Sequence, residues 1–415
     1  MRRCDRSGSK PPSRAGELNY ERPDCGGNGR GRSGGGVVGA HARFTLNRLE
    51  RGVGVIMSDH PEYEVVVVGG GPAGLTAALY ATRLGHRTAV FEKEGGRHAA
   101  VNHVHNLLGV SEDVSGSELA AHAVAQFEHY GGDFYPDAVD SVAEIGDDEP
   151  RFRLEAAHAT VETDRVVFAT GFRDRSPDVP ELERFTGRGL HYCLHCDAYT
   201  LGDGPVFVLG HDESAAHVAM TMLNFTADVD LLLDGREPEW SEETDAQLRA
   251  HPLDRVDTSV VSAYADERID EDEPPWIGGL SFGDGTERDY LGGFAMYGTA
   301  YNADLAAALD CALADDGAID VDENRETSVD GVYAVGDVTH GQNQTTIAIG
   351  DGAYAGLAIH KDLRRFPKTL EELEADGTAI DDAAPGTPPD LRAQMRRVRG
   401  LKTHPGLRGP SPERD

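Results

Sequence analysis

Cysteine is scarce, with five in 415 residues, and only Cys193 and Cys196 stand close together. That is too few for a disulfide-stapled scaffold. A Cys-x-x-Cys pair in a long chain without an export signal points to redox or metal chemistry instead. Lysine is equally rare, at five in the whole chain, which leaves 39 basic residues against 72 acidic ones and a formal charge of −33. Such self-repulsion argues against a nucleic-acid partner. It suits a salt-rich cytoplasm, as in a halophile, where screening protects the compact state. Long apolar runs are missing too. The longest uncharged run, 65–82, is interrupted near its start by Gly69-Gly70-Gly71-Pro72, so it reads as strand, turn and helix and not as a membrane span.

What is present divides unevenly. Residues 1–56 carry eleven basic and five acidic residues, a charge of +6 that leaves −39 for the remainder. They are rich in Gly, Ser and Pro, have no apolar period, and are expected to be disordered. Arg2-Arg3 is not followed by an apolar stretch, so no export signal is expected. The expected start is Met57, with 1–56 an upstream extension or, alternatively, a basic arm. The remaining length accommodates two cores.

The sharpest pattern follows. Val65-Val66-Val67-Val68 suits a parallel strand buried on both faces, and Gly69-Gly70-Gly71-Pro72-Ala73-Gly74 opens a helical stretch over 75–84. A second strand, 88–91, ends at Glu92. This is a dinucleotide fingerprint with a physical job for each part. Gly69 makes the tight turn, Gly71 admits a pyrophosphate, Gly74 lets helix and strand pack closely, and Glu92 can accept from an adenosine ribose. Further on, 117–130 reads as an amphipathic helix, 134–145 and 151–162 as one antiparallel meander, and 165–171 as a strand ending in Ala169-Thr170-Gly171.

The unit then repeats. Strand 205–210, helix 214–225 and strand 229–233 lead to Asp234, 24 residues after Gly210. Here Asp212 replaces the middle glycine and Glu213 adds a second negative charge where a pyrophosphate would approach. Asp234 would suit a free 2′-hydroxyl and disfavour NADP, and Arg236 is the one cation nearby in sequence. Residues 266–273 read as a solvated acidic loop. The stretch 331–337 reads as a strand ending in Gly336-Asp337, followed by a small-residue helix over 347–363. The tail from 364, with Arg396-Arg397-Val398-Arg399, reads as irregular or at best a surface helix.

From 63 to 363 the chain resembles the low-molecular-weight thioredoxin reductases and the wider FAD-dependent pyridine nucleotide-disulfide oxidoreductases. The resemblance rests on Gly69–Gly74 with Glu92, on Ala169-Thr170-Gly171, on Cys193-Leu194-His195-Cys196-Asp197, and on Gly336-Asp337 with Gln344. It implies an α/β fold of two Rossmann-like three-layer nucleotide-binding domains, the second inserted into the first. The implied boundaries are 57–185 and 291–363 for the FAD-binding domain, 186–290 for the inserted NAD(P)-type domain, and 364–415 for the tail. The same resemblance implies that Gly69, Gly70, Gly71, Pro72, Ala73, Gly74, Glu92, Arg97, Asn106, Thr170, Gly171, Gly336, Asp337, Gln344 and Thr345 hold FAD. Gly210 and Asp234 would contact NADPH or NADH. It makes Cys196 the flavin-facing thiol that forms a charge-transfer thiolate, Cys193 the thiol that attacks an external disulfide, and Asp197 the acid; His195 could assist both. A thioredoxin-like protein or a small disulfide would be the substrate, and a cytoplasmic homodimer the assembly.

Alternatives stay open at this point. With His191 and His195 the cysteines could be part of a zinc site, although tetrahedral zinc needs four ligands and no second Cys-x-x-Cys exists. A metal cluster of His98, His103 and His105 is set against ordinary packing, and Cys311 reads as a small buried hydrophobe. The stretch from Gly96-Arg97-His98 to His103-Val104-His105-Asn106 also resembles fungal gliotoxin-type dithiol oxidases, which pass electrons from a dithiol to FAD and oxygen. A donor other than a nicotinamide, or a flavoprotein scaffold without turnover, completes the range. Rotation of the redox-pair domain about linkers near Thr186 and Tyr290 is a further expectation.

Overall fold

The computed structural model describes residues 60–146, 150–269, 274–364 and 389–401. The expectations for 1–56, Met57, Cys4, Cys25 and the last four residues of the acidic loop lie outside them.

Val65–Val68 fall in the first strand, β1 (Glu62–Val68), whose side chains alternate between two cores. β1 lies between β2 (Thr88–Phe91) and β6 (Thr160–Phe168), parallel to both, with Val68 opposite Phe91 and Phe168. β3 (Asp133–Tyr135) extends the sheet parallel beyond β2, and β17 (Val332–Ala334) runs parallel to the end of β6. The antiparallel pair β4 (Val139–Glu144) and β5 (Phe152–Ala156) joins the start of β6. The meander is therefore β4–β5–β6. The alternating pattern over 134–145 is split between β3 and β4, because Pro136 follows Tyr135 and cannot donate to a ladder.

One face of this sheet carries α1 (Pro72–Arg83), α3 (Gly116–His129) and α8 (Thr345–Leu363). Glycines on α8 bring it against α1: a Cβ built on Gly352 would lie 2.1 Å from the Ala73 carbonyl oxygen. Ser115 and Glu118 form a reciprocal capping box at the start of α3.

The repeated unit builds a second sheet, entirely parallel. Its order is β11 (Asp254–Val256), β10 (Val229–Leu232), β9 (Val206–Leu209), β15 (Gly292–Ala295) and β8 (Leu190–His191). Val206 and Val208 face α5 (Glu213–Met222) and Leu248 of α6 (Glu242–Ala250). Phe207 and Leu209 face the antiparallel layer β12 (Val260–Ala265), β13 (Ile277–Phe282) and β14 (Glu287–Asp289). The architecture is mixed α/β with two parallel-sheet domains, the second inserted within the first.

Two of the expected limits shift. Val179, Leu182 and Phe185 already belong to the second core, and β15 ends at Ala295, so the second domain exceeds 186–290 at both ends. The chain crosses between domains through an antiparallel ribbon of β7 (Phe172–Asp174) and β16 (Thr299–Tyr301), not at Thr186 and Tyr290. Nothing in composition marks that ribbon. In the tail, residues 389–401 form a helix, α9 (Pro389–Leu401), whose Gln394 and Arg397 donate to the His129 carbonyl at the end of α3. Among the described residues no helix is long and apolar enough to cross a membrane.

Candidate functional site

After β1 the chain turns through Gly69 at φ +111, where a Cβ would sit 2.3 Å from the Ala169 carbonyl oxygen. A Cβ on Gly74 would lie 2.0 Å from the Gly69 oxygen, whereas Gly71 has nothing within 4 Å. Gly71 is the N-cap of α1 and Pro72 occupies its first turn; no side chain caps the helix. The result is an open concavity at a helix N-terminus, with the dipole and free N–H groups that favour an anion.

Glu92 does more than the sequence suggested. One carboxylate oxygen accepts from Gly70 N at 2.5 Å, and the other accepts from Glu94 N and Gly95 N, each at 2.9 Å. Gly70 is needed for this contact, because a Cβ there would meet the Glu92 side chain at 2.8 Å. Thr170 and Asn302 bond reciprocally: the Thr170 hydroxyl donates to Asn302 O at 2.7 Å, and Asn302 Nδ2 donates to Thr170 O at 2.8 Å. Asn302 carried no sequence signal; it joins the crossing ribbon to the Ala169-Thr170-Gly171 turn. Gly336, at φ +69, packs on the start of α1. Burial pushes the neighbouring Asp337 carboxyl up, with Arg97 pulling the other way. Arg97 itself clamps Asp174 through two hydrogen bonds, at 2.8 and 3.2 Å, over the Phe172 ring.

Cys193 and Cys196 are joined in a disulfide, with Cα atoms 5.3 Å apart. Cys193 precedes, and Cys196 lies within, the short helix α4 (Leu194–Asp197). The sulfurs belong to the second domain but meet the first. Gln344, the N-cap of α8, places Nε2 at 3.7 Å from each sulfur. Asn106 Nδ2 donates to Gln344 Oε1 at 2.9 Å, which fixes the amide with its nitrogen toward the sulfurs. A bond from this amide to a thiolate would favour the charged form, as would the start of α8. Gln344→Leu is therefore expected to raise the thiol pKa of the reduced pair. The effect to look for is a slowing of alkylation at neutral pH by roughly tenfold, measured as rate against pH.

Asp197 Oδ1 lies 3.2 Å from His191 Nδ1, and His195 is exposed. Among the described residues no group of three or more His, Cys, Asp or Glu side chains could hold a metal ion. His98 and His103 bond to the backbone oxygens of Gly116 and Glu112, at 3.4 and 3.0 Å. Cys311 is buried beside Thr327, and burial pushes its thiol up.

In the second fingerprint, Asp212 is the N-cap of α5 and accepts from Ala215 N at 2.9 Å. Glu213 accepts from Ser241 N at 2.9 Å and from the Thr244 hydroxyl, which holds its carboxyl below the usual range. Asp234 adopts φ +53 and accepts from Val260 N at 2.9 Å, so one of its oxygens is committed to the fold. The cleft beside this turn, about 380 Å³, is lined by Asp212, His211, Arg236 and Tyr297, and also by Arg175 from the segment after β7. Neither Gly210 nor Asp234 lines it. Arg175 gives no signal near Asp234 in the sequence because it arrives from 59 residues upstream.

Against known proteins, residues 63–352 match the family described as Pyridine nucleotide-disulphide oxidoreductase. The chain is 33% identical over 323 residues to the F component of the alkyl hydroperoxide reductase of Pseudomonas putida, covering 73% of this chain and 58% of that protein. It therefore spans little more than half the length of that relative. It is 29% identical over 311 residues to a thioredoxin reductase of Peptoclostridium acidaminophilum, covering 72% of this chain and 96% of the relative. The crystal structure of a thioredoxin reductase from Streptococcus pyogenes MGAS5005 superposes with a TM-score of 0.67 at 27% identity, covering 73% and 99% of the two chains.

Proposed function

From the premise that the chain belongs to the pyridine nucleotide-disulphide oxidoreductase family, we propose that it is an FAD-dependent thiol-disulfide oxidoreductase of the thioredoxin-reductase type. The observation that carries this reading is the disulfide of one nucleotide-type domain resting on Gln344 of the other. The open cradle at Gly71, the uncapped start of α1 and the turn at Gly336-Asp337 fit the pyrophosphate and ribityl region of FAD. When bound, FAD would supply an electron pair to the Cys193–Cys196 disulfide. Gly69–Gly74, Glu92, Thr170, Gly171 and Asp337 hold the cofactor, with Arg97 and Asn106 shaping its border. Gln344 and Thr345 set the position of the disulfide at the start of α8. Cys193 attacks the external disulfide, Cys196 resolves the mixed disulfide, and Asp197 handles the protons. A thioredoxin-like protein or a small disulfide is the substrate, and the −33 charge suits turnover at high salt.

NADPH or NADH is the donor in this reading, received in the cleft between Arg175 and Arg236. One observation favours a second reading, in which a dithiol feeds the pair and oxygen takes the electrons. The Asp212 carboxylate sits at the start of α5, where a pyrophosphate would bind. Anaerobic rapid mixing in concentrated potassium chloride decides between them. Fast flavin bleaching by NADPH or NADH supports the first. Bleaching by a dithiol alone, with peroxide formed in air, supports the second, and no bleaching by either defeats both.

Asp212→Gly is expected to tighten dinucleotide binding by about tenfold. Two like charges some 5 Å apart repel by roughly 3 kcal/mol at an effective dielectric of about 20, and salt leaves about half of that. Loss of the cap itself costs only a few tenths of a kcal/mol when glycine takes its place. Titration of protein fluorescence with NADPH and NADH at two salt concentrations checks it; unchanged affinity would clear Asp212 of the blame.

A further inference from the structure

His191 is a largely buried titratable group beside the disulfide segment that the proposed chemistry leaves unused. It ends β8, where its backbone lies opposite Phe294 of β15 and its ring packs 6.1 Å from the Phe294 ring. Its side chain is 9% exposed, and Nδ1 faces Asp197 Oδ1 at 3.2 Å. The two atoms are within ion-pair distance, so a proton held on Nδ1 would lie beside the Asp197 carboxylate. The other nitrogen, Nε2, is buried and has no hydrogen-bond partner. A phenylalanine here would pack on Phe294 and leave no ring nitrogen unpaired; a buried orphan of this kind calls for an explanation in function. The ionisable group facing the ring is Asp197 of α4, while β15 presents only an aromatic ring. On the sequence side, Tyr192 turns its hydroxyl to Ser176, 3.0 Å away, and not to the imidazole.

We propose that His191 is a positioning residue that acts through Asp197, and that the two together store and return the proton exchanged by the Cys193–Cys196 pair. The inference rests on the thiol-disulfide reading above. A carboxyl group alone has lost its proton well below neutrality, whereas an imidazole can still hold one there. Cys193 ionises and its proton goes to the dyad. The Cys193 thiolate forms a bond to one substrate sulfur, the substrate S–S bond breaks, and the departing sulfur keeps the electron pair and takes the stored proton. Cys196 then yields its own proton to the dyad and displaces the second sulfur, which takes that proton in turn. Two electrons and two protons have moved from the dithiol to the two product thiols.

The test uses the full-length protein reduced with a dithiol, freed of excess reductant, and mixed with two small disulfides across a pH series. An aromatic disulfide releases an acidic thiol that leaves without a proton; bis(2-hydroxyethyl) disulfide releases a basic alkyl thiolate that needs one. His191→Phe is expected to slow the alkyl disulfide by roughly 100-fold at neutral pH, the low end of general acid–base effects, and to slow the aromatic one, which needs the dyad only to take the Cys193 proton, by a much smaller factor. His191→Gln, which can still donate to Asp197 but carries no mobile proton, should behave like His191→Phe. Equal slowing on both disulfides, no slowing, or rescue by glutamine would each overturn the proposal. A wild-type pair that reacts with neither disulfide would instead bring down the thiol-disulfide reading itself.

Discussion

Changing Cys196 to serine is expected to cut disulfide turnover by about 10³-fold or more, the scale seen when a nucleophile is removed from a concerted unit. The more informative result is what accumulates. Cys193 and Cys196 lie one short turn apart, with Cα atoms 5.3 Å from each other, so the mixed disulfide formed by one is within reach of the other. Remove the resolving thiol and the adduct should persist. The reduced Cys196→Ser protein, given an excess of a small disulfide, should therefore gain the mass of one substrate half at Cys193. Cys193→Ser should be equally inactive but form no lasting adduct, because its remaining thiol is assigned to the flavin side. Gln344 does not distinguish the sulfurs, at 3.7 Å from each, so the assignment of attacker and resolver depends on this experiment. An adduct on Cys196 in the Cys193→Ser protein would reverse the roles. Full turnover by both variants would remove the dithiol from the mechanism.

The parts of this site that were legible in the sequence are those whose function is carried by the backbone or by spacing. Gly69, Gly70 and Gly74 must be glycine for steric reasons, so that part of the turn is written in residue type. The Cys-x-x-Cys pair spans one turn, and the second strand–turn–helix repeats the first at almost the same length. What was not legible is what distant segments bring. Arg175 reaches the cleft, and Asn302 reaches Thr170, through the β7–β16 ribbon, which has no periodic signal over three residues on each strand. Position alone marks Glu92 and Asp234 as ribose ligands. Both are acidic ends of strands, yet their oxygens also close local turns, on Gly70, Glu94 and Gly95 in one case and on Val260 in the other. Spacing identifies which residue arrives at a strand end and not how many of its lone pairs the fold has already taken. The same limit applies to His191, six residues from Asp197, which the sequence offers only as a metal ligand. A strand ladder and a helical turn bring the two side chains together.

Two glycines of the first fingerprint should fail in opposite ways when given a single methyl group. At Gly74 the new carbon would fall 2.0 Å from the Gly69 carbonyl oxygen, 2.9 Å from the Ala169 Cβ and 3.1 Å from a Val67 methyl. None of these can yield without moving α1 off the sheet, and α1 is also held by α8 at Gly352 and Gly356. Overpacking of this kind costs about 1–3 kcal/mol or more, so Gly74→Ala should lower the melting temperature of the apoprotein by several degrees and lose FAD as a consequence. At Gly71 the backbone is ordinary, φ −72 and ψ −179, and a Cβ would meet nothing. Gly71→Ala should therefore fold with a melting temperature close to that of the parent apoprotein. Its Cβ would nevertheless stand in the open space before the uncapped start of α1, where a pyrophosphate must approach the backbone. The expected result is a stable protein whose FAD affinity falls by about tenfold or more, seen as loss of yellow colour on dialysis and recovered at high added FAD. Thermal melts of both apoproteins beside flavin titrations separate the two effects. If Gly71→Ala kept full flavin affinity, the cradle at the start of α1 would not be the pyrophosphate site, and the assignment of the first domain to FAD would lose its structural footing.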